Sequence, residues 1–573
     1  MSNHTFNETT MKVGMILFGT VLCLGRCYAV DWDAGGGADQ DWATPDNWSG
    51  DTVPTTGDDA YIGCDTLSVA AAKVTQAGAV SRNLYLGYNV DDMGTLTIEG
   101  EGELRPTTTY QSAYVGYSGA GTVNLMGGYL GSNGYLRLGT NEGAVGTVHH
   151  TGGTAYFRSI EVGSGTGTTG VYNLSAEGDI DVPYTLLVGK AGTGTFNQTG
   201  GTNVVGGYSG ATIGQSSGGV GTVNHSAGTF QRWSFNIGAD EGSSGTYNLT
   251  GSAVMHGVRA VTIGNSGTGV LNQSAGTTLS GGYYYGSFLN IGNGPGGEGT
   301  YDLGNADGTG TVAFTSALTM TIRGDATASG MFRGWSEDGS GNLFSCNGGV
   351  LTNNGQVIAD GYGQDRALNL SAFDSVDNTI DNTSSNGWYA VNKGKLVLPG
   401  ITVASGLSQH NWGEASEDTG VDLINSLRME FTDVASGGPL AISLLAADRS
   451  DVPDTKAVFN AGPSIGIWDI ADAGSFDFGD GFVDLTFRYN TSLFAMDNLY
   501  PLQLLHYLDG EWVDITAGYD DTHIWGNGID RFSLFAVGYY VPEPTTLVLT
   551  LLGVVWLVCH RRRQNPHTCH VDA

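Results

Sequence analysis

Side chains that could act as a catalytic base are rare in the long middle part of this chain. Between Leu84 and Asp325 there is a single lysine, Lys190. Cleavage of an acidic sugar chain by a lyase needs such a base, and a hydrolase needs a pair of clustered carboxylates. We therefore predict no catalytic residue and no cofactor. Six arginines of this stretch fall at unrelated positions of the repeat described below: Arg105, Arg137, Arg158, Arg232, Arg259 and Arg323.

Histidines and acidic loops are the remaining candidates for metal or proton chemistry. His149 and His150 share one repeat unit, and His225 stands at the phase of His150 three units later. Three stacked units place these histidines about 14 Å apart, which is too far for one metal ion. The Asp/Gly loops at 360–365 and 477–481 do not match the ligand spacing of a calcium loop. We predict structural histidines, ordinary turns and no metal site.

The segments that would position these side chains form a repeat. Each repeat unit contains two short recurring motifs, which we call marks. Four residues of the type Gly-Thr-Val-Asn recur nine times, about every 24 residues, and an apolar-Gly pair recurs in phase with them. A period near 24 with short β segments predicts a solenoid. The four-residue signatures begin at Gly94, Gly121, Gly146, Gly170, Gly194, Gly221, Gly245, Gly269 and Gly299. The pairs are Leu86-Gly87, Val115-Gly116, Leu138-Gly139, Val162-Gly163, Val188-Gly189, Ile213-Gly214, Ile237-Gly238, Ile263-Gly264 and Ile291-Gly292.

Each position of the signature has a predicted role in a right-handed parallel β-helix over residues 84–325. The third position is always apolar and should face inward, because side chains alternate along a strand. The leading glycine is predicted to take the turn at positive φ. The fourth position is mostly asparagine, which predicts a hydrogen-bonded ladder along the axis. Five of these asparagines begin Asn-x-Ser/Thr sequons, which we interpret as copies of the ladder: Asn173, Asn197, Asn224, Asn248 and Asn272.

The segments around the repeat predict further modules of an all-β chain. Residues 30–83 hold Trp32, Trp42 and Trp48, which we interpret as a cap on the open end of the solenoid; a platform that stacks on sugars is the alternative. The run from Asn47 to Pro54 resembles the opening of autotransporter-type passenger repeats. Residues 326–400 are expected to form irregular terminal coils. Residues 401–540 are expected to form a β-sandwich, with strands at 427–431, 441–445, 482–488 and 532–540.

Both ends of the chain have the composition of targeting segments. In residues 1–29 a basic residue precedes a short apolar run and a small-x-Ala cleavage site, which predicts a signal peptide with a helical core. Residues 541–573 combine a Pro-Glu-Pro motif, an apolar stretch that predicts a transmembrane helix, and a basic cluster. The cluster should stop transfer across the membrane, by the positive-inside rule. The motif is Pro542, Glu543 and Pro544, and the cluster is Arg561, Arg562 and Arg563.

This C-terminal arrangement resembles the bacterial PEP-CTERM sorting signal. The resemblance implies recognition by an exosortase-type membrane processing enzyme. It also implies a protein that is anchored in the inner membrane during sorting and is afterwards found at the cell surface or outside the cell. The tail from Gln564 to Ala573 is longer than the pattern usually has.

Composition narrows the class of partner. The formal net charge is −33, and an acidic surface repels phosphate backbones, so we predict no nucleic-acid partner. Of six cysteines only Cys64 and Cys346 lie between the two targeting segments, too few for a disulfide framework. We expect a non-catalytic structural or adhesive protein of the cell surface or extracellular matrix, with extracellular polysaccharide as a candidate partner. A β-helix polysaccharide lyase or hydrolase and a carbohydrate-binding surface module are the alternatives.

Overall fold

The computed structural model describes residues 29–539 with gaps. The predicted signal helix and the predicted transmembrane helix fall outside the described residues. No helix in the described part of the chain is long and apolar enough to cross a membrane. The gaps lie at 65–69, 107–110, 205–209, 257–258, 274–276, 281–286, 294–295, 304–310, 315–317, 323–328, 335–343, 346–348, 354–355, 361–366, 372–374, 378–387, 413–425, 447–448, 451, 454–465, 473, 489–501 and 522.

The described chain is built from β-strands, as predicted, with one 3₁₀ turn at Pro45–Asn47. It divides into two compact units, residues 1–356 with 372–379 and residues 357–371 with 380–573. The strands up to residue 353 are β1 (Ala29–Asp31), β2 (Asp59–Ile62), β3 (Ala70–Val74), β4 (Ala79–Ser81), β5 (Leu84–Leu86), β6 (Met93–Ile98), β7 (Glu103–Pro106), β8 (Ala113–Val115), β9 (Ala120–Leu138), β10 (Val145–Val162), β11 (Thr169–Leu174), β12 (Asp179–Asp181), β13 (Thr185–Val188), β14 (Thr193–Val204), β15 (Gly210–Ile213), β16 (Val220–Gln231), β17 (Ser234–Ile237), β18 (Ser244–Leu249), β19 (Val254–His256), β20 (Ala260–Ile263), β21 (Thr268–Gln273), β22 (Thr277–Ser280), β23 (Ser287–Ile291), β24 (Glu298–Leu303), β25 (Thr311–Phe314), β26 (Leu318–Ile322), β27 (Ser329–Gly334), β28 (Phe344–Ser345) and β29 (Gly349–Asn353). The later strands are β30 (Gln356–Asp360), β31 (Ala367–Asn369), β32 (Ser375–Asp377), β33 (Trp388–Lys393), β34 (Lys395–Val397), β35 (Ile401–Thr402), β36 (Gly406–Trp412), β37 (Ser426–Val434), β38 (Pro439–Ala446), β39 (Gly466–Asp472), β40 (Phe482–Arg488), β41 (Leu502–Leu508), β42 (Glu511–Asp514), β43 (Gly518–Tyr519), β44 (His523–Ile529) and β45 (Leu534–Tyr539).

The first unit is a parallel β-solenoid, which confirms the architecture predicted from the period. Each coil adds one strand to each of three parallel faces. The signature face contains β3, β6, β11, β18, β21, β24 and β27 with the first segments of β9, β10, β14 and β16. The tyrosine face contains β2, β5, β8, β13, β15, β17, β20, β23, β26 and β29 with the last segments of β9 and β10. The third face contains β4, β7, β12, β19, β22, β25 and β28 with the remaining segments of β9, β10, β14 and β16.

The signatures align one above the other along the axis, as their spacing predicts. On β9 and β10, for example, Gly121 pairs with Gly146 and Val123 pairs with Val148. The third position is buried in all nine signatures, from Leu96 to Tyr301, because alternation along each strand turns it toward the core. Parallel pairing also continues outside residues 84–325: β1 pairs with β2, β2 with β5, and β29 with β32.

The turn at positive φ belongs to a different glycine from the one predicted. The glycine of the apolar-Gly pair has φ between 60° and 71° in all nine units, for example 69° at Gly116 and 69° at Gly189. The leading signature glycine instead lies inside a strand. A Cβ on Gly121 would collide with the backbone nitrogen of Gly116, and one on Gly194 with that of Gly189. The leading glycine is therefore required for close approach of the backbone, and the predicted turn role was wrong.

The second unit contains two largely antiparallel sheets. One follows the order β31-β34-β38-β39-β45-β41-β42, with β35 also paired to β38, and the other follows β36-β37-β40-β44-β43. Rings from the two sheets are in contact, since Phe487 of the second sheet lies 6.5 Å from Trp468 and 6.1 Å from Phe535 of the first, between centroids. The four strands predicted in residues 401–540 are present as β37, β38, β40 and β45.

Candidate functional site

The predicted sorting residues cannot be placed in the fold. Pro542, Glu543 and Pro544, and the basic cluster Arg561, Arg562 and Arg563, fall outside the described residues. Their roles therefore stay predictions from the sequence.

The three tryptophans before the repeat are buried against one another. Trp48 is fully buried and lies 5.0 Å from Trp32 and 4.6 Å from Trp42, measured between ring centroids. Its indole N–H donates to the carbonyl oxygen of Trp42 at 2.8 Å. A platform that stacks on sugars needs exposed ring faces, and these rings present none. Their burial favours the capping interpretation.

His149, His150 and His225 lie in two different environments. His149 faces outward at the fourth signature position, where its Nδ1 accepts a hydrogen bond from the Asn173 amide at 3.3 Å. His150 and His225 are buried in the core, and the Nε2 of each contacts a backbone carbonyl three residues later. Burial lowers the pKa of both, that of His225 to about 4. They are therefore neutral core residues rather than members of the outer ladder.

The buried histidines bind the hydroxyls of buried tyrosines in the following coil. His150 Nδ1 lies 2.9 Å from the Tyr172 hydroxyl, and His225 Nδ1 lies 2.9 Å from the Tyr247 hydroxyl. Because Nε2–H donates to a carbonyl, Nδ1 accepts from the tyrosine. The third buried tyrosine of the signatures, Tyr301, donates in the same way to Gln273 at 2.8 Å. Each pair satisfies a hydroxyl that would otherwise be buried without a partner.

The predicted asparagine ladder is present on the outer side of the signature face. From Asn197 onward the side-chain amide of each asparagine donates to the amide oxygen of the asparagine one coil earlier, at 2.8–2.9 Å, while Asn173 donates to His149. Each sequon asparagine is thus already a structural donor, acceptor or both. The ladder runs through Asn173, Asn197, Asn224, Asn248 and Asn272.

The outer side of the signature face is also free of ionisable carboxylates and strong cations over eight consecutive strands, β6 to β21. Three outward-facing positions of each strand align along the axis in three rows, which we call ranks. The first charged residues in these rows are Lys73, one strand before this stretch, and Glu298 and Asp302, one strand after it. At about 4.8 Å per strand the uncharged stretch is about 34 Å long. The first rank is Met93, Ala120, Val145, Thr169, Thr193, Val220, Ser244 and Thr268. The second is Thr95, Thr122, Thr147, Val171, Thr195, Thr222, Thr246 and Val270. The third is Thr97, Asn124, His149, Asn173, Asn197, Asn224, Asn248 and Asn272.

The tyrosine face begins with a cluster of five tyrosines on its outer side. Tyr61, Tyr85 and Tyr114 are register partners and stack nearly parallel, with centroids 4.8 Å apart at each step. Tyr88 and Tyr117, at the adjoining corner, stack at 5.1 Å and meet the first column edge-on. Aromatic pairs in these two geometries stabilise contacts between coils. We call these five residues the tyrosine cluster.

An ion cluster continues the same column in the next coils. Arg137 pairs in register with Tyr114 on one side and Glu161 on the other. The buried Glu161 carboxylate accepts from Arg137 Nε at 3.0 Å, Lys190 Nζ at 3.0 Å and Ser164 Oγ at 2.6 Å. Burial raises the pKa of Glu161. The hydrogen bonds from Ser164 and Lys190 and the nearby cations outweigh this effect and hold that pKa below its usual value.

The sequence contained a signal for this cluster that our reading of the arginines missed. Tyr85, Tyr114, Arg137 and Glu161 each stand one residue before the apolar-Gly mark. Residues at the same distance from the apolar-Gly pair lie one above the other along the axis, in one column. Arg137 therefore does not fall at an unrelated position of the repeat. What the arrangement can do chemically is limited, because the only carboxylate among these groups already accepts from both cations. The ion pairs of Glu161 with Arg137 and Lys190 join three coils, and donation from Arg137 to the Tyr114 hydroxyl at 3.2 Å adds a fourth.

Arg232 is a further candidate, and the sequence did not reveal that its side chain is buried. Its side chain is fully buried and donates to the backbone carbonyls of Gln231 and Asn203 and to the Asn203 side chain. Its guanidinium carbon lies 4.9 Å from the centroid of the Phe230 ring. Burial lowers the pKa of Arg232 to about 9. These contacts are all internal, so they give Arg232 a packing role.

The acidic loop at 477–481 is an ordinary turn in the structure. The Asp477 carboxylate accepts from the backbone N–H of Gly479 at 3.0 Å, and its backbone pairs with Ser436. Residues 361–365 of the other loop lie outside the described part. Within the part that the structure describes, no three His, Cys, Asp or Glu side chains are placed to hold a metal ion.

Comparison with known proteins gives one partial similarity. The "Uncharacterized lipoprotein YdeK" of Escherichia coli (strain K12) is 30% identical over 138 residues. These residues are 22% of this chain and 10% of that protein, so the chain spans about a tenth of the relative's length. No family model matches the chain, and no solved structure matches it.

Proposed function

We propose that this chain is an exported, non-catalytic structural or adhesive protein of the cell surface or extracellular matrix. In this proposal the solenoid is a right-handed β-helix, the second unit is a β-sandwich, and the C-terminal segment is a PEP-CTERM signal for an exosortase-type enzyme. The partial relative is named as a lipoprotein, which agrees with export.

The observation that carries the proposal is the uncharged outer side of the signature face. In a chain with a net charge of −33, a stretch of about 34 Å without a fixed charge supports contact with an uncharged surface. Its threonine hydroxyls and asparagine amides repeat at the coil spacing, so they suit a partner that also repeats. Extracellular polysaccharide without charge has that character.

Sedimentation with an insoluble neutral polysaccharide tests this proposal. We expect the full chain to bind it and to bind an acidic polysaccharide less well. The variant Thr195→Lys with Thr246→Lys places two cations on the signature face and should lose most of the binding. Its matched control is Thr212→Lys with Thr262→Lys, because these threonines face outward on the tyrosine face of the same two coils. Equal loss in both variants would reject the signature face as the contact surface.

The enzymatic alternative and the sorting signal have separate tests. Release of oligosaccharides by the purified protein, abolished by Glu161→Gln, would overturn the non-catalytic proposal. In a host that makes the sorting enzyme, mass spectrometry should find a mature C-terminus within residues 542–546. Recovery of the intact tail through Ala573 would show a permanent anchor instead.

A further inference from the structure

We propose that the tyrosine cluster is a site of oxidative cross-linking, at which two phenol rings of neighbouring coils couple to dityrosine. Tyr85 and Tyr114 are held in register, with ring planes 5° from parallel and centroids 4.8 Å apart. Tyr88 and Tyr117 repeat this geometry at 5.1 Å and 4°. All four side chains are half-buried, so part of each ring is exposed to an oxidant while its partner stays within contact distance.

The chemistry requires a one-electron oxidant, and hydrogen peroxide acting through a haem peroxidase supplies it. Each of two phenols loses one electron and one proton and becomes a phenoxyl radical. The radicals join through a new bond between the ring carbons next to the two oxygens. Each of these carbons then gives its hydrogen to the oxygen of its own ring, which restores the phenol. One hydrogen peroxide is reduced to two waters, and the product has two hydrogens fewer than the starting pair.

Parallel pairing makes coupling within the cluster faster than coupling between molecules. A radical in free solution must meet a second one by diffusion, whereas here the second ring is in contact before oxidation begins. Positioned partners react as if at a very high local concentration. Four edge-on contacts, among them Tyr85 with Tyr117 at 5.2 Å and Tyr61 with Tyr88 at 4.7 Å, give each ring more than one possible partner.

The cross-link would give the solenoid a covalent tie between coils. A bond between Tyr85 and Tyr114 closes a loop of 114 − 85 = 29 residues, which restricts the unfolded chain as a disulfide does. With only Cys64 and Cys346 between the targeting segments, the sequence makes little provision for disulfides. The chemistry needs only access of the oxidant to the ring edges, so it stands independently of the adhesion and sorting proposed above.

The test is treatment of the full chain with a haem peroxidase and hydrogen peroxide, followed by peptide mass spectrometry. We expect cross-linked peptides, lighter by two hydrogens, that join Tyr85 or Tyr88 to Tyr114 or Tyr117. The yield should not change when the protein is diluted tenfold, and the product should melt at a higher temperature. No dityrosine, or cross-links only between molecules, would overturn the proposal.

Two variants separate the cluster from tyrosines in general. Replacing Tyr85, Tyr88, Tyr114 and Tyr117 by phenylalanine keeps the rings and should lower the dityrosine yield at least tenfold. The control Tyr184→Phe with Tyr519→Phe removes two more exposed hydroxyls, at 53% and 48% exposure, and should leave the yield unchanged. An unchanged yield in the fourfold variant would overturn the proposal. If that variant does not fold, the cross-link map of the unmodified chain still decides.

Discussion

His225 Nδ1 lies 2.9 Å from the hydroxyl of Tyr247, with both side chains in the core of the solenoid. The two residues are 22 positions apart and belong to consecutive coils. The same two core positions are occupied by Leu174 and Phe196 in other coils, where there is no hydroxyl to satisfy. The same two core positions thus hold a hydrogen-bonded polar pair in one place and an apolar pair in another.

This alternation predicts strong coupling between His225 and Tyr247. His225→Leu leaves the Tyr247 hydroxyl buried without a partner, and Tyr247→Phe does the same to His225 Nδ1, so each should cost about 1–3 kcal/mol of unfolding free energy. The double variant imitates Leu174 and Phe196 and should cost less than the sum of the two. Urea unfolding of the four proteins of the cycle measures the coupling. Additive losses would show that the hydrogen bond contributes nothing to stability.

His225 should also make the solenoid sensitive to mild acid. Its pKa falls from 6.5 to about 4 on folding because of burial. The unfolded chain therefore binds the proton more tightly, so stability is complete above pH 6.5 and is lost as the pH falls toward 4. The unfolding free energy lost over this pH range is on the order of 3 kcal/mol.

The replacement His225→Gln isolates this effect from other titrating groups. Gln273 already accepts from Tyr301 at the equivalent position, so glutamine can keep the hydrogen bond without titrating. We expect the difference in unfolding free energy between pH 7 and pH 4.5 to be smaller in the variant than in the unmodified chain. An equal difference would assign the acid sensitivity to other groups.

The asparagine ladder should contribute measurably at each step. Asn224→Ala removes the donor to Asn197 at 2.8 Å and the acceptor for Asn248 at 2.9 Å, and should cost about 1–2 kcal/mol. Thr222→Ala is the matched control on the same strand, because the structure gives the Thr222 hydroxyl no hydrogen bond within the described residues. A loss no greater than that of the control in thermal unfolding would show that the ladder follows the strand pairing and does not reinforce it.

The ion cluster should respond more strongly to loss of its carboxylate than an exposed pair does. Glu161→Gln leaves Arg137 and Lys190 with one neutral amide oxygen in place of their shared carboxylate at a buried site and should cost about 2 kcal/mol. Glu103→Gln breaks the exposed pair with Arg105 and should cost under about 1 kcal/mol.

The pH dependence of this site has a defined direction. The pKa of Glu161 is held below its usual value, so its contribution is present above that value and is lost as the pH falls through the folded pKa. Glu161→Gln should therefore remove part of the stability lost below about pH 4.5. Thermal unfolding of the two glutamine variants at pH 7 and pH 3.5 measures both effects.

The sequence predicted the solenoid and its inward positions because a repeat multiplies a weak signal. One four-residue signature means little, but nine in phase show which side chains alternate into the core. The outer ladder followed from the same logic, since equal phase places Asn197 and Asn224 in one column. The same rule, applied to the residue before each apolar-Gly pair, places Arg137 and Glu161 in one column, so the interpretation of Arg137 as lying at an unrelated position was wrong.

Other features depend on contacts that no repeat reports. The burial of Arg232 against Phe230 depends on the shape of one corner of the core, which neither of the two marks reports. The two glycines of each unit were confused because a turn at positive φ and a close backbone approach both exclude a side chain. The two requirements are distinguished only by the positive φ of Gly116 and by the backbone atoms that a Cβ on Gly121 would meet.

The glycine turn that ends nine of the described coils has a consequence for how such a chain can change in length. Gly116, Gly139 and Gly163 meet the backbone of the following coil at the same point of the circuit. An insertion of one residue would move the strand that follows by one step and exchange its inner and outer side chains. A duplication of one whole circuit would restore every contact on both sides of it. Viable variants should therefore differ in length by complete turns of about 24 residues, and the corners of the third face should accept the small remainders.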